Sequence, residues 1–205
     1  MTSNESPSRT QGAGARPLLP EQARAVCGQL GLDVNQSSLL REGMSAKEFL
    51  AALIEQEQFV DAVTFMACAL PKREAVWWGY LCAREVQADP LPEPDAVALS
   101  AALEWVREPT DARRRAAKDA ADASEYATPA GLVALATFFT GGSIAPPEVL
   151  TVEPAEHVTA QIIRGAVMAA GVIHEPEHAA ERYRGYLQTG LDVAKRRLHW
   201  DRLKS

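Results

Sequence analysis

The stretch Leu70-Pro71-Lys72-Arg73-Glu74-Ala75-Val76-Trp77-Trp78 decides how this chain is read. It lies between two apolar runs with helical spacing, so it is a joint between helices. Pro71 suits the first position of a helix, where the N–H it lacks would be without a partner anyway. Trp77 and Trp78 then stand about 100° apart around that helix, too far for both to follow one narrow apolar stripe. The spacing predicts one indole in the core and the other against a second helix or a partner; both in the core is the alternative, at least as expected as a place at an interface. Lys72 and Arg73 fall at the end of the helix where the macrodipole disfavours positive charge. Their placement calls for a carboxylate, another helix or an acidic partner. Lys72, Arg73, Trp77 and Trp78 are therefore the candidate interaction residues.

Outward from this joint, nearly every segment reads as helix between proline or glycine punctuation. Upstream, Phe59, Val63, Met66 and Leu70 share one face over residues 57–70. Ser45 with Glu48 forms a capping box for residues 46–56, and a helix over 20–30 stops at Gly31. Downstream, Val76, Tyr80 and Ala83 share a face over 71–87, and a further helix covers 95–108. Pro109-Thr110-Asp111 opens a polar helix to about Glu125. Thr128-Pro129 opens an apolar one that Gly141-Gly142 ends. Residues 143–154 form an irregular loop with three prolines. Within it Val149-Leu150-Thr151-Val152 is β-like, but the proline flanks favour a loop. An amphipathic helix over 154–170 and a long final helix over 175–203 complete the chain. The predicted fold class is all-α: about nine helices in antiparallel hairpins, packed as an irregular bundle or solenoid-like array. No motif recurs at a fixed period, so a true repeat array is not expected. Residues 1–16 read as a disordered tail. Residues 17–205 read as one helical domain, with the proline-rich 89–94 stretch as the place for a subdomain joint.

The chain has 205 residues, 47% of them apolar and 23% charged, the balance of an ordinary globular protein. Its net charge of −6 argues against a general nucleic-acid binder, which needs clustered Lys and Arg. Cys27, Cys68 and Cys82 form no CxxC pair, and an odd, sparse set points to a reducing cytoplasm. No apolar run approaches the length of a membrane span, and Met1–Arg16 lacks the apolar core of a signal peptide.

The LPKREAVWW run, with Phe59 and Ala62 before it, and the later Phe138-Phe139-Thr140-Gly141-Gly142-Ser143-Ile144-Ala145-Pro146 resemble two signatures of an uncharacterised bacterial helical family. That family is catalogued only as a domain of unknown function, and the resemblance spans roughly residues 45–200. It implies an all-helical fold, supplies no catalytic residues and suggests an association with type VI secretion.

Several other residue patterns suggest chemistry and fail on context. His174-Glu175-Pro176-Glu177-His178 matches the letters of the zinc-peptidase motif H-E-x-x-H, which requires one continuous helix. Pro176 forbids that, because a proline inside a helix breaks it and pushes the preceding residue out of helical angles. A looser metal site on His174 and His178, with His157, is the alternative. Arg113-Arg114-Arg115 and Lys118 are interleaved with Asp111, Asp119, Asp122 and Glu125, and read as a solvated face with i,i+4 pairs. The basic end around Lys195-Arg196-Arg197 suits a helix C-terminus; a nucleic-acid-associated regulator would have to rest on these two patches. Ser143 has no GxSxG or P-loop context. The reading that remains is a non-enzymatic protein-interaction module, an adaptor or accessory factor of a bacterial assembly, with another protein as partner and no cofactor.

Overall fold

The computed structural model describes residues 21–86, 90–146 and 148–202. The expected tail at 1–16 lies outside the described residues, as does Asp89 of the proline connector. Among the described residues there are nine α-helices and no strand: α1 Glu21–Gln29, α2 Ala46–Glu55, α3 Phe59–Ala69, α4 Lys72–Glu85, α5 Glu93–Arg107, α6 Asp111–Ala123, α7 Pro129–Phe138, α8 Val158–Val172 and α9 Ala179–Ala194. The fold is an all-α irregular bundle. Residues from both sides of the 89–94 connector join one hydrophobic cluster. None of the described helices is long and apolar enough to cross a membrane.

Local chemistry sets most helix ends. The Ser45 N–H donates to the Glu48 carboxylate at 2.8 Å, and the Glu48 N–H donates back to Ser45 Oγ at 3.3 Å, closing the capping box of α2. Thr110 and Thr128 cap α6 and α7 by accepting from the Arg113 and Gly131 N–H groups. Thr128 also donates to the buried Asp95 carboxylate at 2.6 Å, which ties the start of α7 to the start of α5.

Alpha4 occupies the middle of the bundle, with α5, α7, α8 and α9 all packed on it. Its Gly79 is a point of close approach. A Cβ there would stand 2.9 Å from Ile163 of α8 and 3.2 Å from Val133 of α7. Consecutive pairs α5–α6 and α6–α7 pack as hairpins. By contrast α3 and α4, joined at Leu70-Pro71, barely touch each other, and both pack on α8. The joint thus connects two helices that share a third as a common wall.

Both indoles are in the core, Trp77 at 1% and Trp78 at 0% exposure, so the alternative with both buried holds and neither offers surface to a partner. Two helix faces can both be apolar because α4 is enclosed on several sides. Trp78 Nε1 donates to the Tyr186 carbonyl of α9 at 2.7 Å. Trp77 stacks on Tyr80 and its Nε1 donates to the Leu198 carbonyl at 3.1 Å. Each buried N–H thus has the acceptor that burial demands.

The last helix is also shorter than predicted. Pro176–His178 forms a 3₁₀ turn and α9 begins after it. At the other end Arg196 adopts φ 55°, and the N–H groups of Arg196 and Arg197 donate to the carbonyls of Val193 and Asp192, both at 2.8 Å. This is the Schellman pattern, which glycine usually makes. The chain then turns back and buries Trp200 against the bundle.

Two consequences are measurable by urea unfolding. Trp77→Ala and Trp78→Ala should each cost about 3–5 kcal/mol, as large core truncations do. Gly171→Ala should cost about 1–3 kcal/mol, since its Cβ would stand 2.1 Å from the Tyr183 ring.

Candidate interaction site

The two stretches that carry the family resemblance meet in space. The start of α4, the α5–α6 corner and the turn after α7 enclose an open cleft of about 450 Å³. Lys72 and Arg73 come from the first stretch and Thr140, Gly141 and Gly142 from the second. Trp105 and Pro109 supply apolar surface, and Asp111 and Arg114 line another side.

Each cation has a structural partner. Lys72 Nζ pairs with the Glu156 carboxylate at 3.1 Å. Arg73 donates to the Val106 and Arg107 carbonyls at 2.7 and 3.0 Å, and its guanidinium lies 4.3 Å over the Trp200 ring. It therefore closes the C-terminal end of α5, where a cation suits the dipole. The second helix expected to explain Arg73 is α5.

The polar helix departs from its predicted solvated face at one residue. Arg114 is only 4% exposed. It donates to the Phe138 carbonyl at 2.7 Å and the Ser143 carbonyl at 2.8 Å, and packs over the Phe138 ring. Its charge is balanced by Asp111 at 2.5 Å. Its burial follows from the last turn of α7, whose carbonyls need donors. Lys118 pairs with Asp122 and Arg115 with Asp111, both i,i+4 as that reading expects, whereas Arg113 pairs with Glu104 and Glu108 from the α5 side. The Arg114 and Arg115 guanidiniums that donate to Asp111 hold its carboxyl below the usual carboxylate value.

Beyond the cleft, residues 143–146 and 148–152 belong to a loop clasped at its neck. The Ile144 N–H donates to the Val152 carbonyl at 2.8 Å. Ser143 Oγ accepts from the Ala145 and Val152 N–H groups, both at 3.2 Å. Arg115 donates to the Ser143 and Ala145 carbonyls at 3.1 and 3.2 Å. Ser143 is thus a clasp between backbone segments. The tip is apolar and open to solvent: Leu150 is 89% exposed and Val149 57%. Sequence reasoning passed over Leu150. Its signal was an aliphatic trio, Val149, Leu150 and Val152, in a proline-rich segment outside any helical period.

The histidine motif is dismantled as expected of its proline. Glu175 takes φ 43°, so His174 precedes the turn and His178 ends it. Arg182 holds this turn through the carbonyls of Gly171, His174 and Glu175. Among the described residues no three His, Cys, Asp or Glu side chains come together as a metal-binding set. Burial pushes the Cys82 thiol well above its usual value, away from the thiolate that reactivity needs.

Together these features define an all-α helical bundle that carries a cleft and a clasped, apolar-tipped loop. The chain belongs to the family of unknown function DUF6931, whose model matches residues 49–194. That span runs from α2 to the last residue of α9. No curated protein and no solved structure matches the chain.

Arg114→Met should cost about 2–3 kcal/mol, because it strips a charged donor from two carbonyls. Asp111→Asn tests the linked titration. A depressed carboxyl stabilises the fold above its unfolded value, near 3.8, and that contribution is lost as pH falls through the folded value. The wild-type advantage over Asp111→Asn should hold at neutral pH and vanish in acid, read from unfolding midpoints. His178→Ala should leave the thermal midpoint nearly unchanged, as for an exposed residue outside the core.

Proposed function

We propose that this chain is a helical protein-interaction module, a non-enzymatic adaptor or accessory subunit of a larger bacterial assembly. Its docking face is the clasped loop together with the neighbouring cleft. The observation that carries this reading is Leu150, 89% exposed on a loop whose neck is fixed by side chains from α6. An aliphatic tip open to solvent contributes nothing to the core, and a partner that covered it would remove apolar surface from water, which favours docking. Type VI secretion is the assembly that the resemblance in sequence suggests.

The binding residues in this reading are Val149, Leu150 and Lys72, with Arg73 serving the scaffold. Trp77 and Trp78 contribute by holding α4 in place. A nucleic-acid reading finds less support, because Arg113, Arg114, Arg115 and Lys118 are engaged by carboxylates and carbonyls.

A photo-crosslinking residue at position 150 in the native cell should capture a discrete protein. The same residue at the exposed position 188 on α9 should not. Leu150→Asp should leave stability within about 0.5 kcal/mol of wild type. Equal adducts at both positions, or a large loss of stability in Leu150→Asp, would overturn the reading.

A further inference from the structure

We propose that the cleft between α4, α6 and the α7 turn is filled by the loop tip of a second copy of this chain, reciprocally, in a two-fold dimer. This rests on the reading of the loop and cleft as a docking face, and it names the occupant.

Charge complementarity is the first support. The cleft is lined by Lys72, Arg73 and Arg114 with Asp111, and Glu156 pairs with Lys72 at its edge, so one positive charge is in excess. The loop carries the opposite sign. From Ile144 to Glu156 there are three glutamates and no Lys or Arg. Glu148 and Glu153 are exposed, and neither has an ion-pair partner among the described residues. Glu156, from the end of this same acidic segment, already pairs with Lys72 at the cleft edge. The cleft therefore takes a carboxylate of this segment within one chain, and Glu148 and Glu153 of the same segment have no ion-pair partner among the described residues.

Shape and position agree. The cleft offers apolar surface from Trp105 and Pro109, and the tip offers Val149 and Leu150. A volume of about 450 Å³ accommodates a few aliphatic side chains. Leu150 at the tip is 89% exposed, so its own chain leaves it uncovered and open to a cleft on another copy. Loop and cleft adjoin, because the loop begins at the Gly141-Gly142 turn that lines the cleft. Adjoining, complementary elements are what an isologous interface needs: each copy gives its tip and receives its partner's across one axis.

Sedimentation equilibrium of the full chain tests this, with disulfide trapping to locate the contact. The wild type should associate to a dimer that weakens with salt, as unlike charges across an interface are screened. Leu150→Asp should weaken the dimer by at least about 30-fold, the effect of losing a central anchor. Glu148→Lys combined with Glu153→Lys should weaken it as well. For trapping, Leu150→Cys and Gly141→Cys are prepared separately and mixed. Gly141 lines the cleft, and a Cβ there meets nothing within 4 Å. The mixture should yield the disulfide-linked heterodimer in excess over either homodimer. A dimer untouched by Leu150→Asp, or no excess of the heterodimer, would overturn the proposal. So would a chain that stays monomeric at all soluble concentrations. In that last case a protein captured at position 150 in the cell leaves the interaction reading standing, and no capture there removes both.

Discussion

Two indoles in succession on α4 set the constraint that the rest of the bundle satisfies. Adjacent positions on a helix face different directions, so burying both rings requires walls on more than one side. Those walls are α5, α7, α8 and α9. Each indole also brings an N–H that cannot be left dry. The acceptors come from the C-terminal part of the chain: the Tyr186 carbonyl for Trp78 and the Leu198 carbonyl for Trp77. The middle of the sequence is thereby closed by its end. The return of the chain after Arg196, which buries Trp200, belongs to this closure and places a ring under the Arg73 guanidinium.

A second theme is how helix ends are finished. The last carbonyls of a helix lack internal donors. In this bundle arginines from neighbouring helices supply several of them. Arg73 serves α5, Arg114 serves α7, and Arg182 serves the turn after α8. The planar, forked guanidinium reaches two carbonyls at once, which a lysine cannot do in the same way. These contacts also fix the relative position of two helices each time. Polar chemistry thus contributes to the specificity of packing in a core rich in alanine, whose small side chains leave few interlocking shapes of their own.

Much of this was legible in the sequence because it is local. Ser45 with Glu48, Thr110 and Thr128 mark helix starts by side-chain chemistry that acts within four residues, and Gly31 marks an end by the positive φ that glycine permits. The helices they bound stand where the spacing put them, within a few residues. What was not legible depends on contacts distant in sequence or on unusual backbone. Arg196 ends α9 in a left-handed conformation that nothing about arginine announces. Arg114 looks like its neighbours Arg113 and Arg115, and only the end of α7 selects it for burial. The place of the second tryptophan is of the same kind: a stripe argument assumes one wall, and α4 has several. The cleft was invisible for the plainest reason, since Lys72 and Gly142 are distant in sequence and only the packing of α4 against α7 unites them.

The clasped neck of the 143–152 loop has a consequence for how this fold can change over generations. The ends of the loop are held by Ser143, Arg114 and Arg115, whatever sequence lies between them. The entropy of closing a loop rises only slowly with length, by about 0.6 kcal/mol per doubling. Residues at the tip can therefore be exchanged, inserted or removed with little effect on the helices beneath. The bundle thus separates two kinds of selection. The core answers to foldability, and the tip is free of that demand. A family built on this plan can diversify its surface vocabulary while keeping one interior grammar.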